Sequence, residues 1–87
     1  MGADMKLMAR NAQQVGTALR RARNAKNITQ TELSVQSGVR QATISTIEAG
    51  HPGTRLETIC QILAALELEF IIAPRASEAR PNIAEIF

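Results

Sequence analysis

Gly38 stands between two stretches that each read as a short helix, one opening at Thr29 and the other ending at Glu48, and this spacing leaves the chain few ways to fold. Thr29 and Glu32 form a capping box, in which hydroxyl and carboxylate each satisfy a backbone N–H left unpaired at a helix start. Ile28 and Leu33 flank it as a hydrophobic staple. The first helix should run to about Ser37, where Gly38 supplies the left-handed backbone that closes a helix without steric penalty. Val39 then turns into the core. A second helix should start at Arg40 or Gln41, with Ile44 and Ile47 inward and Arg40, Gln41, Ser45 and Thr46 outward. That outer face carries groups able to hydrogen-bond to base edges.

The flanking segments complete a helical bundle. From Asn11 to about Lys26, Asn11 and Gln14 form a cap pair, and Val15, Leu19 and Ala22 are spaced for one buried face. Arg20, Arg21, Arg23 and Lys26 make its second half basic, which suits a phosphate-binding patch or a solvated face near a helix C-terminus. After Glu48, the run from Ala49 to Gly53 is a turn-rich loop. Thr54 and Glu57 read as a second capping box, opening a helix to about Leu66 that packs through Leu56, Ile59, Leu63 and Leu66. Cys60 falls in that register and is expected to be a buried thiol. Arg55, at the helix start, either reaches a phosphate or is simply exposed. His51 is the single histidine, has no ligand cluster around it and is expected to be a solvated loop residue.

Beyond the helices the period changes. Over residues 67–73, Leu68, Phe70 and Ile72 alternate with their neighbours as in a half-buried strand. A lone strand on a helical domain needs a partner, and the same strand of a second copy, antiparallel across a twofold axis, is the economical one; addition to another protein's sheet is the alternative. Residues 74–87 read as a flexible tail ending in Ile83, Ile86 and Phe87. It is expected to dock on a partner, to give a protease its handle, or to be inert. Residues 1–66 carry eight Lys/Arg against four Asp/Glu and residues 67–87 two against four, so a basic front meets an acidic tail within a net charge of +2. Two surfaces with different partners follow.

The series Gln30-Thr31-Glu32-Leu33, Gly38-Val39, Gln41 to Ser45 and Ile47-Glu48 resembles the Xre/Cro-type helix-turn-helix family over about residues 13–66. Within it, Gln41 to Ser45 and Leu66-Glu67-Leu68 are most similar to the HipB group of antitoxins. The family resemblance implies that Arg23 pairs with Glu48 as a structural ion pair. The HipB resemblance implies a homodimer that represses its own operon and binds a HipA-type kinase toxin, and it implies the same strand pairing.

The expected architecture is all-α: a compact helix-turn-helix bundle of four to five helices with a short C-terminal strand pairing across a homodimer. It divides into an arm (1–10), a DNA-binding domain (11–66), a dimerisation strand (67–73) and a tail (74–87). A chain of 87 residues buries only a modest core, so dimerisation would aid its stability. The expected partner is double-stranded DNA with a palindromic site. Arg40, Gln41, Ala42, Ser45 and Thr46 are expected to read bases, and Thr29, Gln30, Thr43, Arg20 and Arg55 to hold phosphates. No cofactor, metal site or enzymatic constellation is expected. No apolar run has membrane-spanning length and no signal-peptide pattern opens the chain, so a cytoplasmic location is expected. The alternative to an antitoxin is a stand-alone repressor of the same family.

Overall fold

The computed structural model describes residues 7–75. They form four helices, α1 (Ala12–Ala25), α2 (Gln30–Ser37), α3 (Gln41–Glu48) and α4 (Leu56–Ala65). α3 packs on α1 and α2, and α2 also packs on α4.

Local signals set most of the helix ends. Asn11 caps α1, its Oδ1 accepting from the Gln14 N–H at 2.8 Å, while the Gln14 side chain accepts from the Arg10 N–H at 2.6 Å. The capping box of α2 is complete: Thr29 Oγ1 accepts from the Glu32 N–H at 3.0 Å, and Glu32 Oε1 accepts from the Thr29 N–H at 2.8 Å. Gly38 ends α2 in the left-handed region (φ 78°) and donates its N–H to the Ser34 carbonyl at 2.9 Å. Val39 then enters the core, joining Leu33, Ile44, Ile47, Ile62 and Leu66, among others. Gly16, buried on α1, faces the C-terminal turn of α3 so closely that a Cβ there would overlap the Ile47 carbonyl oxygen.

α4 departs from expectation in four ways. Its cap residue is Arg55, with no side-chain cap hydrogen bond, so the Thr54–Glu57 capping box does not form. Helical backbone begins at Leu56, which leaves Thr54 one position too early to cap. The buried stripe is Ile59, Ile62, Leu63 and Leu66, a spacing of three and four residues that includes Ile62, absent from the expected set. Cys60 therefore lies off the stripe and is exposed. Leu56 is 66% exposed and lines an open apolar groove with Val15, Ile47, Ile59 and Phe70.

The chain leaves α4 through Glu67 in the left-handed region (φ 61°), and the Leu68 N–H closes the helix on the Leu63 carbonyl at 2.8 Å. Lys26 Nζ meets Glu67 Oε1 at 3.0 Å, tying this exit to the end of α1. Leu68 packs against the core, whereas Phe70, Ile71 and Ile72 are exposed. The expected strand over 67–73 is not formed among the described residues. A strand is defined by its ladder, and a single copy supplies no second edge to pair with. Ile83, Ile86 and Phe87, and most of the N-terminal arm, lie outside the described residues.

Candidate nucleic-acid interface

The outward face of α3 exists because its inward face is anchored. Ile44 and Ile47 are 1% and 3% exposed, which fixes the rotation of this two-turn helix. Arg40, Gln41, Ala42, Ser45 and Thr46 are consequently all exposed on one short helix and its N-terminal cap. The Thr46 hydroxyl donates to the Ala42 carbonyl at 2.9 Å, so toward solvent Thr46 offers its methyl group and acceptor lone pairs.

The far end of α3 is held by a charged lock. Arg23, on α1, donates from Nε to Glu48 Oε2 at 2.8 Å and from Nη2 to Glu48 Oε1 at 3.0 Å, a bidentate fork, and from Nη1 to the Ile28 carbonyl at 2.8 Å. The two side chains are only 11% and 4% exposed. Burial pushes the Glu48 carboxyl up, but hydrogen bonds from Arg23 and Gln30, with the charges of Arg23 and Arg20, outweigh it and hold the carboxyl below its ordinary range. The Glu48 hydrogen bond and charge raise Arg23 against the opposing effect of burial. Every buried side-chain nitrogen and oxygen among the described residues has a partner.

Gln30 belongs to the same cluster. Its Nε2 donates to Glu48 Oε1 at 3.0 Å, and its Oε1 accepts from Gln41 Nε2 at 3.4 Å. The family resemblance paired Arg23 with Glu48, whereas Gln30 was expected on a phosphate; the spacing of 18 residues to Glu48 carried no local signal for the link. Thr29 Oγ1 accepts at the helix cap and keeps its hydroxyl proton to donate, and Thr43 is half-buried. Arg20 and Arg55 are exposed, Arg20 close enough to Glu48 to act on its charge. His51 is exposed in the loop after α3.

Two short helices joined through a left-handed glycine, with the second exposing a row of hydrogen-bonding side chains, are the geometry of a helix-turn-helix. The helix-turn-helix family model matches residues 19–71. The chain belongs to this family.

As a helix-turn-helix protein, it is 38% identical over 72 residues to the antitoxin HipB of Escherichia coli O6:H1, covering 83% of this chain and 76% of that protein. It is also 38% identical over 68 residues to y4dL of Sinorhizobium fredii, named an uncharacterized HTH-type transcriptional regulator, covering 78% of this chain. The chain spans about a third of that regulator's length, 35%. Among solved structures, it is similar to a HipB variant in complex with an O2 20mer, at TM-score 0.75 and 30% identity over 83% of this chain and all of the other, 100%. A HipA-HipB-O2-O3 complex matches at TM-score 0.73 and 32% identity, over 79% and 97% of the two chains. The chain is thus a DNA-binding helix-turn-helix regulator similar to the HipB antitoxins. No described helix is long and apolar enough to cross a membrane.

Proposed function

We propose that the chain is a sequence-specific repressor and the HipB-like antitoxin of a type II toxin-antitoxin pair, acting in the cytoplasm as a homodimer. The observation that carries the reading is the outward row of α3, braced from behind by the Arg23–Glu48 fork. Two such helices related by a twofold axis would enter successive major grooves of a palindromic operator, about 34–36 Å apart. Gln41 and Arg40 read bases by bidentate pairing, Ala42 meets a thymine methyl, and Ser45 and Thr46 add single hydrogen bonds. Thr29, Thr43, Arg20 and Arg55 hold phosphates and set the register, and Gln30 keeps one amide proton for the same purpose.

In this reading, residues 11–66 form the DNA-binding unit behind an N-terminal arm, and residues 67–73 pair with their twofold mate. Phe70, lining the open groove at Leu56, and fully exposed Ile72 favour that pairing because they leave apolar surface uncovered in the single copy. The tail, 74–87, docks on a HipA-like kinase through Ile83, Ile86 and Phe87. Likeness to a HipB chain solved in a HipA-HipB-O2-O3 complex supports the kinase as second partner.

The test is a tagged pull-down from native lysate, run beside a chain truncated after Pro74, together with a mobility shift on the DNA upstream of its own reading frame. A stoichiometric kinase in the first sample and its loss from the second supports the antitoxin and assigns the tail. A dimer that shifts the DNA and retains no kinase leaves a stand-alone repressor, the reading favoured by likeness to the y4dL regulator.

A further inference from the structure

Thr46 is exposed on α3, yet its hydroxyl is not free to donate outward. The oxygen lies 2.9 Å from the Ala42 carbonyl, and a carbonyl only accepts, so the single hydroxyl proton is spent within the helix. Two capacities remain for an outside partner: the γ-methyl group, and lone pairs that only accept. Ala42 lies one turn earlier on the same exposed face, so its methyl sets a second apolar group beside the first. Buried Ile44 and Ile47 hold the helix in this rotation and keep the pair outward.

Resting on the DNA-reading role proposed above, we infer that Thr46 recognises a 5-methylated cytosine, so that the chain binds its site more tightly when the cytosine there carries a methyl group at C5. In the major groove, thymine offers a methyl beside the O4 acceptor, and cytosine offers the N4 donor without a methyl. Adenine offers a donor and an acceptor, and guanine two acceptors. Thr46 meets each of these with a mismatch. Its acceptor faces thymine O4 lone pair to lone pair, its methyl finds no partner on cytosine or adenine, and guanine answers neither group. 5-Methylcytosine joins the methyl of thymine to the N4 donor of cytosine, and that edge satisfies both groups at once. Methylation therefore adds an apolar contact at a step where the unmodified base is already accepted.

The full-length wild-type chain and Thr46→Ala are each used to select sites from a randomised duplex library, and the base pair whose preference the variant loses is the one that Thr46 reads. In one half of the selected site, the pyrimidine of that pair is then made cytosine, 5-methylcytosine or thymine. Wild type, Thr46→Ser and Thr46→Val are titrated on all three duplexes, with melting curves to establish that the variants are folded; one folded variant suffices beside the wild type. The two cytosine duplexes differ by a single methyl group and share the same opposite guanine. Wild type should gain about fourfold on methylation of the cytosine, the worth of one buried methyl group. Thr46→Ser keeps the oxygen and loses the methyl, and should bind both cytosine duplexes alike. Thr46→Val keeps the methyl and loses the oxygen. It should retain the methylation gain, while its preference for 5-methylcytosine over thymine falls by about fivefold relative to wild type, the loss of one accepted hydrogen bond.

Equal wild-type affinity for the two cytosine duplexes overturns the inference. So does a methylation gain that persists undiminished in Thr46→Ser, which would move the methyl contact to Ala42. A Thr46→Val variant that keeps the full preference for 5-methylcytosine over thymine overturns the acceptor role of the hydroxyl, and a Thr46→Ala selection that loses no base pair shows that Thr46 reads none. Failure of the wild type to select any site overturns the DNA-reading role itself and is a separate result.

Discussion

A methyl group added at Gly38 would meet no atom within 4 Å, so its requirement for glycine is purely one of backbone, set by φ 78°. Gly38→Ala should cost about 1–2 kcal/mol, the penalty of a left-handed L-residue. Gly16 is the opposite case, since its φ is that of an ordinary helix and its restriction is the nearby backbone of α3. Alanine there improves helix propensity by about 1 kcal/mol yet forces two backbones apart, so Gly16→Ala should destabilise by about 1–3 kcal/mol on balance. Urea melts of both variants check these signs; a stabilised Gly16→Ala would mean that α1 and α3 are not packed this closely. Glu48 links stability to pH. Its folded carboxyl lies below the ordinary value of 4.5, so its contribution is fully present above that pH and is lost as pH falls through the folded value. Stability should fall in acid below about pH 4.5, and Glu48→Gln should flatten that slope while lowering stability at pH 7. An unchanged acid slope in the variant would place the titrating group elsewhere.

At the scale of the element, α2 and α4 show how far local sequence reaches. The Thr29–Glu32 box was legible because both partners lie within one helical turn and answer each other's backbone groups. Thr54 and Glu57 carry the same pattern and form no cap, because the helix starts one residue later than their spacing requires. Thr29→Ala should therefore cost about 1 kcal/mol, whereas Thr54→Ala should be nearly silent in a thermal melt. The apolar face of α4 was legible at Ile59, Leu63 and Leu66 but not at Ile62 or Cys60, since apolar residues occupy most of its length and periodicity discriminates poorly among them. Ile62→Ala should cost about 2–5 kcal/mol, and Cys60→Ser far less. Comparable losses for the two would restore the register expected from sequence.

For the molecule as a whole, Phe70 and Ile72 are the exposed apolar groups that a second copy would cover. With strand pairing across a twofold axis, Ile72→Asp should yield a monomer in sedimentation while leaving each helical bundle folded, and DNA affinity should drop because the half-sites are no longer linked. A dimer of undiminished stability would move the interface elsewhere. Phosphate contacts report at the same scale: Arg20→Ala should lower the slope of log affinity against log salt by about 1 and leave the selected site unchanged. Neither outcome was readable from composition beyond the basic front of the chain, because a charge balance does not say which arginines face the same way.

Sequence alone determined what lies within a turn or two of itself. It set the caps of α1 and α2, the left-handed stop at Gly38, the inward placement of Ile44 and Ile47, and hence the outward row from Arg40 to Thr46. These follow from hydrogen bonds and periodicities that span three or four residues. The Arg23–Glu48 pair came from family resemblance, as its 25-residue separation carries no local signal. Tertiary structure alone decided that Gly16 must be small, that Gln30 turns inward to Glu48 and reaches Gln41, and that Cys60 and Leu56 stay at the surface. Each of those depends on where a second helix or the groove beside it lies, and that position is fixed only when the whole apolar set packs at once.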